Sequence, residues 1–209
     1  MPDSPDTLAR LAASDPVIAK LIDRYGSPDG LLERRGRRPG DAYGALVRSI
    51  VGQQLSTRSA RAIFGRLTAL FDDRTPTPRE LLDADPDKLR EVGLSRAKVA
   101  YLRDLAERIE DGDLDLETVA ELPDDEVAAQ LTQIKGLGPW SVQMFLIFHL
   151  GRPDVLPVGD LGIRRAVQDQ YGLDELPDAA EIERIAEPWR PNRSLASLYL
   201  WRSLDQTPV

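Results

Sequence analysis

Residues 131–150, LTQIKGLGPWSVQMFLIFHL, decide how the chain folds. They predict the end of one helix, a tight turn carried by Gly136 and Gly138, and a Pro139 suited to the first turn of a second helix. The near-continuous apolar run that follows must be buried. The two glycines let the backbone approach a bulky group. The start of the second helix adds N–H groups and a partial positive charge, and together these favour a phosphate. A turn of this kind also serves, with equal weight, as plain punctuation between two core helices.

Downstream, VLPVGDLGIRRAV (155–167) is a Pro/Gly loop that delivers Asp160 to the start of another helix. Asp at such a point is among the commonest helix N-caps, and capping alone explains it. The two roles are compatible, because hydrogen bonds from helix N–H groups favour a charged carboxylate. Gly159 and Gly162 keep its surroundings open. No partner acid is evident, and His149, inside the apolar helix, reads as a core or boundary residue.

Upstream, Asp41 is a plausible N-cap for a helix whose stripe is Tyr43, Leu46, Val47, Ile50 and Val51. It breaks at GQQLS (52–56), where Gln53 and Gln54 can cap helix ends, and a new helix starts at Thr57. Ser95 caps a helix closing on Gly112. Arg96 and Lys98 sit in its first turn, where the helix dipole disfavours cations; plain surface charge is the default reading, a phosphate nearby the alternative. DDEVAAQLTQI leads into the glycine turn, and RSLASLYLWRSL is the last helix. Residues 1–40 hold weak helical patterns around Leu8, Leu11, Val17, Ile18, Leu21 and Ile22, then a basic loop with Arg34, Arg35, Arg37 and Arg38. No long run of alternating β-branched residues occurs, so the expected class is all-α.

The 209 residues suffice for one domain or two small lobes. With no cysteine, disulfides, thiol catalysis and cysteine-held iron–sulfur clusters are excluded. No signal-peptide pattern or bilayer-length apolar run is present, and the expectation is a soluble, cytoplasmic, nucleoid-associated monomer without membrane contact. The net charge of −8 sits badly with nucleic-acid binding. A local basic cleft can coexist with an acidic exterior, and Lys135, Arg164, Arg165, Arg190 and Arg193 cluster in sequence near the turn and Asp160.

The turn, L-x-x-I-K-G-L-G-P-W, and the Gly/Pro loop ending in Asp160 resemble the helix-hairpin-helix (HhH-GPD) DNA glycosylase superfamily, within it the AlkA-type 3-methyladenine DNA glycosylase II branch. The resemblance runs from about Tyr43 to Trp201 and marks a short form without the N-terminal β-rich domain. It implies two helical lobes, residues 1–40 with about 152–209 and about 41–151, meeting at an active-site cleft. The hairpin residues Gly136, Gly138 and Lys135 would grip the DNA backbone, with Arg193 as a further DNA contact. Gln54 falls on the family's wedge position, where AlkA-type enzymes carry leucine; either it or Leu55 would fill the hole left by the extruded nucleotide. The base pocket would use Trp140 and Trp201, although each alone is more often a core residue, together with Tyr43 and Met144. Met144 stands where the family has tyrosine, a departure that bears on the preferred base. Backbone carbonyls of Thr132, Ile134 and Gly136 match the ligands of a monovalent cation, Na+ or K+, but no cofactor is required.

Asp160 would then be catalytic. Cleaving the N-glycosidic bond develops positive charge on the sugar, which a fixed carboxylate stabilises, or it orients the attacking water. A purine methylated at N3 or N7 is already cationic and leaves without a general acid; aromatic faces hold such a ring at about 0.5–2 kcal/mol per contact. Trp140 occupies the position of the lysine that strand-nicking relatives use as an amine nucleophile, so water is the expected attacker. The expected function is a monofunctional glycosylase for alkylated purines in double-stranded DNA. The alternatives are a non-catalytic helix-hairpin-helix DNA-binding module of a repair assembly, and a glycosylase/lyase for oxidised bases.

Overall fold

A computed structural model describes residues 5–27 and 41–204. Every regular element among them is helical, as the lack of strand patterning predicts. The Arg34, Arg35, Arg37 and Arg38 run lies outside the described residues. The chain forms two compact units, one from the described residues of Met1–Arg37 and Leu146–Val209, the other from those of Arg38–Phe145.

The first unit contains α1 (Pro5–Ser14) and α2 (Pro16–Tyr25). Its central helix comes from the far end of the chain, Arg193–Leu204, nearly all of which is buried. A helix buried on nearly every side belongs in the middle of a core, and this one packs against α2 and against Leu161–Tyr171. Asp15 supplies the unit's polar anchor. It caps α2 through the amides of Val17 and Ile18 and also accepts the Tyr171 hydroxyl at 2.7 Å and the Trp189 indole N–H at 3.0 Å. Burial pushes this carboxyl up, but the bonds from Trp189, Tyr171 and the two amides outweigh it and hold it below its ordinary value.

In the second unit α3 (Ala42–Gly52) carries the expected stripe, with Leu46, Val47, Ile50 and Val51 fully buried. It packs on α4 (Thr57–Ala69) and on the long α7 (Arg96–Glu110), which α5 (Pro78–Asp83) and α6 (Pro86–Glu91) flank. Asp41, Ser56 and Ser95 cap α3, α4 and α7 by accepting the amides of Gly44, Ser59 and Lys98. The short α8 (Leu116–Glu121), capped by Asp115, was not legible as a separate helix. It precedes α9 (Asp124–Leu131), the helix that enters the hairpin.

After the hairpin, α10 (Pro139–Phe145) does not run on as a plain α-helix. Leu146–Leu150 is a π-helical turn, and the chain passes from one unit to the other where the two segments join. Widening the turn by one residue re-aims every side chain after it. Beyond lie α11 (Leu161–Tyr171), α12 (Ala179–Ala186), a 3-10 turn at Glu187–Trp189 and α13 (Arg193–Leu204).

Candidate active site

The hairpin between α9 and α10 closes through the Leu137 amide, which donates to the Ile134 carbonyl at 3.0 Å. Gly136 turns the chain at φ +83°, and a β-carbon there would run into the Tyr101 ring, so glycine is required twice over. Around Gly138 there is open space instead. Three side chains suspend the turn. Asp104 accepts the Lys135 amide at 3.0 Å, Arg108 donates to the Gln133 carbonyl at 3.0 Å, and Gln53 donates its amide to the Gly136 carbonyl at 2.7 Å. Burial raises the Asp104 carboxyl, but Lys135 and Arg108 prevail and hold it below its usual range. The Lys135 ammonium, its side chain largely exposed, pairs with Asp104 at 3.0 Å.

The loop after α3 is braced from below. Lys98 donates to the carbonyls of Val51 and Gln53, each at 2.7 Å, so it satisfies the open C-terminal end of α3 and does not mark a phosphate. Gln53 is the C-cap of α3, as expected, its backbone amide donating to the Ile50 carbonyl, and its side chain also reaches across to the hairpin. Gln54, next in line, takes a left-handed conformation at φ +58° and is exposed, as is Leu55. That backbone region is uncommon for a residue with a β-carbon.

In the first unit Asp160 begins α11. Its Oδ1 accepts the Ile163 amide at 2.9 Å and the Trp201 indole N–H at 2.8 Å. Two donors on one oxygen fix the carboxylate plane and the direction of Oδ2. A β-carbon on Gly162 would lie 2.9 Å from Asp160 Oδ1 and 3.2 Å from the Trp201 ring, so this glycine makes room for the pair. Trp201 is 5% exposed, and Phe148, from the π turn, sits with its ring centre 5.7 Å from that of Trp201. Phe148 was missed because nothing in an apolar run of leucines, isoleucine and phenylalanines singles out one ring; the π turn that aims it leaves no sequence signal.

The other expected site residues divide. Trp140 stands on the first turn of α10 with 46% of its surface exposed, and Met144 is half-buried on the same helix; both belong to the second unit. Tyr43, on α3, lines a cavity of about 340 Å³ with Pro78, Ile109, Leu114 and Leu116, none of which belongs to the hairpin. Burial first, then the charges of Asp41, Glu110 and Glu80, push its phenol well above the ordinary value. Arg193 is engaged within its own unit. Its Nε and Nη2 grip the Asp154 carboxylate at 2.7 and 2.9 Å, and Nη2 also reaches the Asp154 carbonyl at 2.9 Å. Such a two-pronged pair staples the start of α13 to the loop before Asp160 and spends the charge on the protein itself. Arg190 pairs with Asp154 and Glu187, and Arg164 donates to the Pro177 carbonyl.

Among the described residues no helix is long and apolar enough to cross a membrane, and no group of three or more His, Asp or Glu residues could hold a metal ion. For a monovalent cation at the hairpin, the carbonyls of Ile134 and Gly136 each already accept one hydrogen bond, and each keeps a second lone pair.

Residues 47–191 match the model of the HhH-GPD superfamily base excision DNA repair proteins. DNA-3-methyladenine glycosylase 1 of Schizosaccharomyces pombe is 35% identical over 188 residues, 89% of this chain and 80% of that protein. DNA-3-methyladenine glycosylase 2 of Escherichia coli is 28% identical over 204 residues, 88% of this chain and 69% of that protein. Among solved structures, the S. pombe 3-methyladenine DNA glycosylase in complex with abasic DNA superposes with a TM-score of 0.81 at 31% identity, covering 95% of this chain and 96% of that one. A DNA-3-methyladenine glycosidase from Bacillus halodurans gives 0.81 at 34% identity, covering 98% and 91%.

Proposed function

The chain belongs to the HhH-GPD superfamily of base excision DNA repair proteins, and from that premise we propose that it is a monofunctional DNA glycosylase releasing N3- and N7-alkylated purines from duplex DNA. The proposal is carried by Asp160, whose carboxylate is held by the Ile163 amide and the Trp201 indole. A base alkylated at N3 or N7 is a cationic leaving group. Breaking its bond to the sugar needs little help at the base and much at the sugar, where positive charge develops. A carboxylate whose direction is set in advance meets that charge without reorganising. Water adds to the sugar carbon and gives up one proton to solvent, the bonding pair leaves with the base, which departs neutral, and the product is an abasic site with an intact strand.

The DNA backbone would lie on the hairpin, its phosphate facing the amides of Gly136 and Gly138 and the open side of the second glycine. A monovalent cation on the carbonyls of Thr132, Ile134 and Gly136 would supply a positive point for the same phosphate. Gln54, projected from its left-handed turn, would fill the stack where the damaged nucleotide leaves it. The exposed Trp140 face, with Met144 on the same helix, would bear on the extruded cationic ring.

A panel of duplexes carrying 7-methylguanine, 3-methyladenine, hypoxanthine or no lesion tests this. The expected result is release of the methylated bases, with the strand cut only after alkali. Nicking without alkali would indicate a lyase, and binding without release would indicate a non-catalytic module.

A further inference from the structure

Two parts of the second unit that would touch DNA are joined by one side chain. Gln53 projects its amide from the loop after α3 to the Gly136 carbonyl at 2.7 Å, with the Ser141 hydroxyl at 3.5 Å on the first turn of α10. Its own carbonyl is held by Lys98 at 2.7 Å. Gln53 is therefore pinned at both ends, by a cation below and the hairpin above. Gln54 follows directly, in a backbone conformation that costs energy unless its surroundings hold it. Leu55 closes the loop by donating its amide to the Gly52 carbonyl at 3.2 Å.

We propose that Gln53 is a positioning residue that couples the hairpin to the wedge, so that a backbone seated on the turn fixes the geometry from which Gln54 enters the base stack. The proposal rests on the glycosylase assignment for its substrate, but the coupling itself is a property of DNA opening and not of bond cleavage. The Gly136 carbonyl can be faced only by a donor, and Gln53 supplies its amide N–H. Gln53→Glu keeps the shape and sets an acceptor against an acceptor, whereas a residue needed for packing alone would tolerate it.

The test uses the full chain and a duplex in which 2-aminopurine beside 7-methylguanine brightens as the lesion unstacks, with released base measured in the same samples. Gln53→Ala and Gln53→Glu should each lower the rate of unstacking roughly tenfold, the worth of about one hydrogen bond, while affinity for undamaged duplex stays within about twofold. Because Gln53 acts through its neighbour, adding Gln53→Ala to Gln54→Ala should slow unstacking no further. Effects that multiply in the double variant, a Gln53→Glu protein that opens DNA normally, or equal losses in unstacking and in undamaged-DNA affinity would each overturn the coupling. A wild-type protein that unstacks the lesion yet frees no base would instead remove the glycosylase assignment, with the coupling still read from fluorescence.

Discussion

The Trp201 indole N–H lies 2.8 Å from Asp160 Oδ1, on the oxygen that also caps α11. A tryptophan expected to stack on a base is thus buried and joined to the carboxylate it was expected to neighbour. Asp160→Asn keeps an oxygen for both donors, and Asn caps as well as Asp, so folding stability should change by less than about 0.5 kcal/mol. Loss of the negative charge should cut single-turnover release of 7-methylguanine by about 100-fold or more, with duplex binding retained. Comparable activity in the two proteins would remove Asp160 from the chemistry.

For Trp201 the informative substitution is to Phe, which deletes the N–H and leaves an aromatic ring. Alanine would open a core cavity costing about 3–5 kcal/mol and blur the result. With one charge-assisted hydrogen bond gone, the excision rate should fall roughly tenfold to 100-fold. An unchanged rate would mean that Asp160 needs no such partner.

Gly162→Ala puts a methyl group 2.9 Å from Asp160 Oδ1 and 3.2 Å from Trp201. Alanine is the better helix former by about 1 kcal/mol, so a thermal melt should show little loss, while base release should drop sharply. A variant that is stable and fully active would show that the pair tolerates displacement.

Breaking the Arg193–Asp154 pair should act on folding and not on DNA. Arg193→Ala is expected to cost about 1–3 kcal/mol in denaturant unfolding, with Asp154→Ala similar and the double variant less than the sum. The slope of DNA affinity against salt should stay at the wild-type value. A shallower slope in Arg193→Ala would restore the residue to the DNA interface.

Acid stability should depend on Asp15. Its carboxyl titrates lower in the folded chain than in the unfolded one, so the unfolded state takes up the proton first as pH falls. The stabilisation is complete above the ordinary value of 3.8 and is lost as pH falls through the folded value. In Asp15→Asn the melting temperature should vary less between roughly pH 5 and pH 2 than in the parent; the same acid slope in both would place the loss elsewhere.

Much of this was legible in the sequence because it is local. Asp41, Ser95 and Asp160 cap the helices they precede, and the RSLASLYLWRSL helix spans Arg193–Leu204 as expected. What escaped was pairing across distance. Lys98, Lys135 and Arg193 stand out in the sequence as cations, whereas the partners they find lie far away at Val51 and Gln53, Asp104, and Asp154. A sequence displays a cation but not the carboxylate or helix end that claims it. For Tyr43, its place on an apolar stripe gives the helix face but not the neighbours that face meets, here Pro78, Ile109, Leu114 and Leu116.

The arginine fork closed on Asp154 bears on how such a protein would patrol a genome. Arg193 adds nothing to the grip on ordinary duplex, since a cation committed to an internal pair releases no counterion from DNA. What that arginine supplies instead is a fixed mounting for the loop that ends in Asp160, the same whether the duplex at hand is sound or damaged.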